Sequence, residues 1–230
     1  MSRTSFNQEM QEVKNEILLL ASMVEEAVME SAQALKDNDV DRSRKILLND
    51  LRINRKRFEI EISIIVLMAT QQPAARDLRR LAANLEICSE LERMGDYAKG
   101  IANINIRSGG LSLPHILRDI YSMAEKAVDM LHRAITAFAD EDLPAAKAII
   151  QDDDVIDECY AKLYYEVVHN FIGDPRNIER ANYAIGVAHN LERLGDRVTN
   201  ICELVIYIIT GERPELSPGL EELKLSYHEN

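Results

Sequence analysis

Tryptophan is absent from this chain, and aromatic residues of all kinds make up only 5 % of it. Glycine and proline are scarce, at 9 and 6 in 230 residues, so there are few points at which a helix must stop. Leu, Ile, Ala, Glu, Arg and Asp dominate instead, a helix-favouring composition. Cysteine is nearly absent too. Cys88, Cys159 and Cys202 are odd in number and form no CxxC pair, which argues against a disulfide framework or structural zinc and for a reducing compartment. Long apolar runs are missing. IIVLMA (64–69) and LVIYII (204–209) fall far short of a bilayer span. The N-terminal MSRTSFNQEMQEV has no apolar core, so no signal peptide and a cytoplasmic location are expected. Positive charge is outnumbered: the formal net charge is −12. That disfavours nucleic-acid binding and a basic membrane face, and suits cations or basic partner surfaces. GxSxG, P-loop and GxGxxG motifs are all lacking, and no reaction class is suggested. A non-enzyme is expected.

What is present is helical periodicity, in six long stretches. The first runs from about Phe6 to Lys36, with Val13, Ile17, Leu20, Val24, Val28 and Leu35 in register. DNDVD (37–41) breaks it and caps a second, to about Thr70, through Ile46, Leu47, Leu51, Phe58, Ile62, Ile65 and Met68. A third opens at QQPAARDL and ends near Arg107. SGGLSLP (108–114) is the linker. A fourth helix spans Pro114 to Ala139, a fifth runs from DEDLP (140–144) to about Phe171, and a sixth follows IGDP (172–175) to about Thr210. Pro73 and Pro175 open corresponding third helices. The pattern is an internal duplication. It predicts an all-α fold of two tandem antiparallel three-helix bundles, over residues 1–108 and 113–212, with a tail over 213–230. A single continuous six-helix array is the alternative.

The duplication is written most plainly in two sextets, LERMGD (91–96) and LERLGD (191–196). Glu92 and Asp96 are four apart and share a helix face, as do Glu192 and Asp196. Like charges at this spacing cost a helix a few tenths of a kcal/mol, and a mid-helix glycine adds up to about 1 kcal/mol. Gly95 and Gly195 therefore suggest close approach of another helix or room for a ligand. In the second half Glu192, Asp196, Thr199 and Glu203 form one column, with Asn200 at its edge. The fifth helix offers Asp153 and Asp157, and the second helix Asp50 and Asn54 with Glu61 beyond. Two helices facing each other with oxygen columns suit a hard cation or iron. An isolated acidic pair is ordinarily a solvated face, and Arg93 and Arg193 could neutralise it. The repeat of a costly pair in both halves weighs for metal.

QPAARDLR, LERMGD and LERLGDRVTNICE, set in this six-helix duplication, resemble the PhoU family over nearly the whole chain. The resemblance implies two three-helix bundles carrying metal on acidic faces, in a cytoplasmic regulator of phosphate uptake and of the phosphate-starvation response. Its implied partners are the ATPase of a phosphate ABC transporter, a sensor histidine kinase and a second copy of the chain. Carried over by position, the implied ligands are Glu92 and Asp96 in the first half, and Glu192, Asp196, Asn200 and Glu203 in the second. Asp153 and Asp157 match the family's fifth-helix pair, and Asp50 and Asn54 the weaker second-helix pair. The implied ions are divalent or ferric: iron, Mn, Mg or Zn. One position departs. Lys99 stands a turn beyond Asp96 where relatives are often acidic, and Asn103 stands where the second half has Glu203. The second half is therefore expected to bind metal more tightly.

The same residues admit other readings. His189, three before Glu192, invites comparison with ferritin-like di-iron oxidases, but the order is reversed and the first half has Ser89. A surface or supporting role for His189 is the stronger expectation. A metal-free helical adaptor is the second alternative. Asp77 to Arg80 could be a partner surface or a structural helix start. The cysteines are expected in the core, and the tyrosines of AKLYYEVV (161–168) at the core and rim.

Overall fold

The computed structural model describes residues 3–111, 113–171 and 178–212. The IGDP turn at 172–175 and the tail beyond Glu212 lie outside these residues. The described chain is helical and contains no strand: α1 (Arg3–Lys36), α2 (Val40–Gln71), α3 (Ala75–Ser108), α4 (Pro114–Asp140), α5 (Leu143–Gln151), α6 (Asp153–Phe171) and α7 (Ile178–Thr210).

Local chemistry sets the ends. Asp39 caps α2 by accepting from the Arg42 N–H at 2.8 Å, and Asp142 caps α5 by accepting from the Ala145 N–H at 3.0 Å. Gly109 (φ +63°) and Gly110 (φ +99°) end α3 in the left-handed region, where side chains are disfavoured, and so separate the halves. The connections at 37–39 and 72–74 are too short for anything but antiparallel neighbours.

One expected helix is two. The stretch read as a single fifth helix breaks between Gln151 and Asp153. Asp152 is the hinge: its N–H reaches the Ile149 and Ile150 carbonyls, and Arg133 Nη1 pins its carboxylate at 2.6 Å. Three successive aspartates are poor helix interior and good helix start, so the chain restarts at Asp153.

The two repeats share one core. Packing contacts run α1 to α3, α3 to α7, α7 to α4 and α4 to α1, a closed ring of four helices. α2 lies outside it against α1 and α3, and α5 and α6 lie outside it against α4 and α7. One apolar cluster extends from Phe6 to Ile208. Each fully buried member such as Ile17, Leu91 or Ile201 contributes about 1.5–3 kcal/mol of transfer free energy. Each half is thus a three-helix unit by connectivity, and neither half closes its core alone.

Contacts between α3 and α7 run in opposite directions along the two chains. Glu90 meets Asn200, Tyr97 meets Arg193, the Gly100 position faces Asn190, and Arg107 lies over Tyr183. The helices are antiparallel, and exchanging the repeats carries Glu90–Asn200 onto Asn190–Gly100. A pseudo-two-fold relates the halves, with the two sextets level across the seam. Arg79 and Arg80 prove structural: Arg79 donates to the Ile208 carbonyl at 3.2 Å and Arg80 pairs with Glu141 at 2.7 Å, so the start of α3 grips the ends of α7 and α4. Cys88 and Cys202 are core residues, their thiols pushed up to about 12 by burial.

α2 departs from expectation. The positions read as its core stripe include Leu51, Phe58, Ile62 and Ile65, and all four are exposed. The inner face is Ile46, Asp50, Ile53, Ile60, Ile64 and Leu67. This helix is apolar on two sides, and periodicity alone does not say which side meets the core. Tyr164 and Tyr165 are likewise exposed rather than packed.

Asn105 ties the α1–α2 corner to α3. Its buried amide nitrogen donates to the Ala34 carbonyl at 3.0 Å, to Ser43 Oγ at 2.9 Å and to the Asp39 carbonyl at 3.3 Å. Asn105→Ala strands these acceptors and is expected to cost about 1–3 kcal/mol. Urea unfolding measures this as a lower midpoint at unchanged slope.

Candidate metal-binding faces

Two acidic faces result, one on each outer flank. The second-half face lies where α6 crosses α7. The break at Asp152 sets Asp153 in the first turn of α6, against Gly195. A Cβ at Gly195 would stand 2.9 Å from Asp153 Oδ1, closer than real atoms pack. The glycine of LERLGD is therefore what lets this carboxylate reach α7.

Asp153, Asp157, Glu192 and Asp196 are electrostatic neighbours there. Burial first, then Asp157, Asp196, Asp154 and Glu192, push the Asp153 carboxyl up to about 6. Burial and then Asp196 also raise Asp157 and Glu192. Asp153 Oδ1 is buried with no hydrogen-bond partner. Glu192 Oε2 meets only His189 Nδ1, at 3.1 Å and without hydrogen-bond geometry. Among the described residues no lysine or arginine pairs with Asp153, Asp157, Glu192 or Asp196. The sextet arginines look elsewhere: Arg93 pairs with Glu90 at 3.0 Å and Arg193 lies over the Tyr97 ring at 5.1 Å.

The first-half face is built alike and compensated. Gly95 again admits the facing helix, here with Ile53 methyls 3.2 and 3.3 Å from where its Cβ would be. Asp50, 4 % exposed, sits opposite Lys99, whose Nζ lies 2.7 Å from Asp50 Oδ2 and 3.5 Å from Asp96 Oδ1. The Asp50 bond, partly offset by burial, raises the Lys99 ammonium above the ordinary lysine range and keeps it charged. Asn54 donates to Asp50 at 3.3 Å, and Arg57 pairs with Glu61 at 2.8 Å. Glu92 is raised, by burial and then by Asp96. An ammonium stands here where a cation would otherwise bridge the carboxylates.

One expected ligand, Asn200, and its column neighbour Thr199 are engaged differently. Asn200 turns from the acidic column and donates to Glu90 Oε2 at 3.1 Å, in the seam. Thr199 Oγ1 donates back to the Asp196 carbonyl at 2.7 Å. Glu203 lies on the same helix two turns beyond Asp196, half-buried. His189 has a side chain 54 % exposed, in keeping with a supporting role. Among the described residues no three His, Cys, Asp or Glu side chains stand in ligating geometry. The ring of four helices encloses apolar side chains, and both acidic faces lie outside it. Among the described residues, the four inward carboxylates and two histidines of a ferritin-like centre are not assembled.

Glu90 was not singled out from the sequence. It is nearly buried and receives Arg93, Arg197 at 3.4 Å and Asn200, joining the repeats. Its place just before LERMGD, where the second half has Asn190, was the available signal.

The family model for the PhoU domain matches this chain twice, over residues 17–104 and 120–205. The chain belongs to the PhoU family. A PhoU homologue of Clostridium acetobutylicum, named a phosphate-specific transport system accessory protein, is 32 % identical over 218 residues, covering 94 % of this chain and 100 % of that one. The crystal structure of PhoU from Pseudomonas aeruginosa superposes with a TM-score of 0.83 at 32 % identity, covering 90 % of this chain and 100 % of that one. The phosphate transport system regulatory protein PhoU from Streptococcus pneumoniae gives 0.84 at 29 % identity, over 92 % and 100 %. Both PhoU repeats thus fall on the helices that carry the sextets. Among the described residues of this chain, no helix is long and apolar enough to cross a membrane.

The raised Asp153 carboxyl has a consequence for stability. Its folded value, about 6, exceeds the ordinary 3.8, so between these values the unfolded chain has lost a proton that the folded chain retains. Stability in chelator then falls as pH rises from about 4 to above 6. Asp153→Asn is expected to melt higher than the parent at neutral pH, by on the order of 1 kcal/mol given half-exposure, and to lose that advantage near pH 4. Thermal melts across pH measure it.

Proposed function

We propose that this PhoU-family chain is a cytoplasmic, non-enzymatic regulator of phosphate uptake and of the phosphate-starvation response. It acts by docking on the ATPase of a phosphate-specific ABC transporter and on the sensor histidine kinase. The observation that carries this reading is the double family match over residues 17–104 and 120–205, together with the transport-accessory name of a relative covered end to end. Co-purification of the tagged chain with each partner, from cells at high and low phosphate, tests it. Both partners are expected in the high-phosphate sample, and loss of both from every sample would sink the reading.

The α6–α7 face is the place proposed for metal. Asp153, Asp157, Glu192 and Asp196, with Glu203 toward the end of the column, would hold a divalent or ferric ion: iron, Mn, Mg or Zn. Oxygen donors suit hard ions of this kind. The support is physical: a buried carboxylate oxygen without a partner, raised carboxyl groups and, among the described residues, no lysine or arginine paired with them. A bound cation would supply the counter-charge that these side chains lack and join α6 to α7. Glu92, Asp96, Asp50 and Asn54 would form a weaker site, since Lys99 already neutralises it.

The metal-free adaptor has one observation in its favour, the lack of any ligating triad among the described residues. Elemental analysis of protein purified without chelator, followed by calorimetric titration with Mn²⁺, separates the two. Glu192→Ala/Asp196→Ala is expected to lose most of the binding and Glu92→Ala/Asp96→Ala little. Equal losses overturn the asymmetry, and a parent chain without metal or titratable binding supports the adaptor.

A further inference from the structure

A cavity opens at one end of the four-helix ring, where α1 and α3 begin and α4 and α7 end. Its volume is about 400 Å³, within the range of small-molecule sites. Phe6 and Phe138 give it apolar walls, and Lys14, Asp77, Arg80, Asn84 and Glu141 bring polar groups to it. On α3 a spacing of three and then four sets Asp77, Arg80 and Asn84 on one face. Two basic and two acidic side chains leave the lining neutral, in a chain whose net charge is −12.

Asn84 is the group that the fold does not account for. It is 4 % exposed, and its carboxamide makes no hydrogen bond with any described residue. Asn105 and Asn190 behave otherwise, donating to the Ala34 carbonyl at 3.0 Å and the Gly186 carbonyl at 2.7 Å. A buried amide left unpaired is costly. The second repeat does without it: Ala184 stands at the matching place, fully buried. Counted from the caps Asp39 and Asp142, Lys14 on α1 is matched by Leu117 on α4. The scaffold thus closes with apolar side chains at both positions, and the polar pair belongs to this end alone.

The groups left over say what fits. Arg80 gives Nη2 to Glu141 at 2.7 Å, and its Nε is buried without a partner. Lys14 donates to the Ala139 carbonyl at the end of α4 and has further N–H bonds to give. These are cationic donors, so the occupant presents an anionic group to them. Asn84 offers a donor and an acceptor side by side. One carboxamide reads both at the edge of adenine, through N7 and N6, and phenyl rings suit a flat base. A 5′-phosphate answers Lys14 and Arg80. Inorganic phosphate alone would leave Asn84 and the rings unused.

We propose that this cavity binds an adenine nucleotide, with the base edge on Asn84, the base against the Phe6 and Phe138 rings, and the phosphate on Lys14 and Arg80. The lining comes from both repeats and shares no residue with either acidic face. The site does not depend on the regulatory reading above.

Calorimetric titration of the full chain with AMP tests it, in chelator so that no metal on the acidic faces carries the nucleotide. One saturable site per chain is expected. GMP should bind about tenfold or more weakly. Asn84→Ala should keep its helical circular dichroism, lose about tenfold or more in AMP affinity, and no longer prefer AMP to GMP. Lys14→Met should weaken AMP and leave adenosine, which lacks the phosphate, unchanged. Three results overturn the proposal: no saturable binding of AMP; GMP or inorganic phosphate binding as well as AMP, which marks an anion site without base recognition; or an Asn84→Ala chain that binds AMP as the parent does.

Discussion

The antiparallel seam between α3 and α7 is the constraint on which the rest depends. It closes the ring of four helices, so the apolar faces of both repeats are spent on each other. It also turns each sextet so that its acidic side points outward, toward α2 in one half and α6 in the other. Glycines make both approaches possible. Gly100 leaves room for Asn190 in the seam, while Gly95 and Gly195 admit the flanking helices. Helix interiors give up about 1 kcal/mol for each glycine, and here each one lies where a Cβ would collide or crowd.

Because the seam is polar at Glu90, Arg197 and Asn200, it fixes register as well as proximity. An apolar seam can slip by a turn at small cost. A nearly buried carboxylate with defined partners cannot, since a slip leaves it charged and alone. Register of α3 against α7 in turn decides which carboxylates sit level across the pseudo-two-fold.

Much of this was legible in the sequence, and the exceptions are physical. The duplication, the α1 core stripe from Val13 to Leu35, the Asp39 cap and the glycine break at 109–110 follow from spacing and propensity, which are local. The outward stripe of α2 was misread because two apolar faces share one helix, and only a neighbour decides between them. The break at Asp152 was missed because apolar periodicity continues through it, although three consecutive aspartates marked it. Asn200 is expected in the acidic column from its angular position and from the family resemblance, and neither registers a partner on the other repeat. It sits at the edge of that column, and Glu90, from the other repeat, claimed it. The Lys99 ammonium lies against Asp50 and Asp96, where a cation one turn from a carboxylate is expected to sit.

Lys99 makes its flank carry its own counter-ion, tethered by four methylenes and never exchanged with solvent. Among the described residues, the opposite flank has no such tether. The two flanks are therefore electrically unlike: beside α2 the carboxylates face a fixed ammonium, and beside α6 and α7 raised carboxyl groups crowd one another. Two faces built on the same sextet thus end with different electrostatics, one holding its counter-charge within the chain.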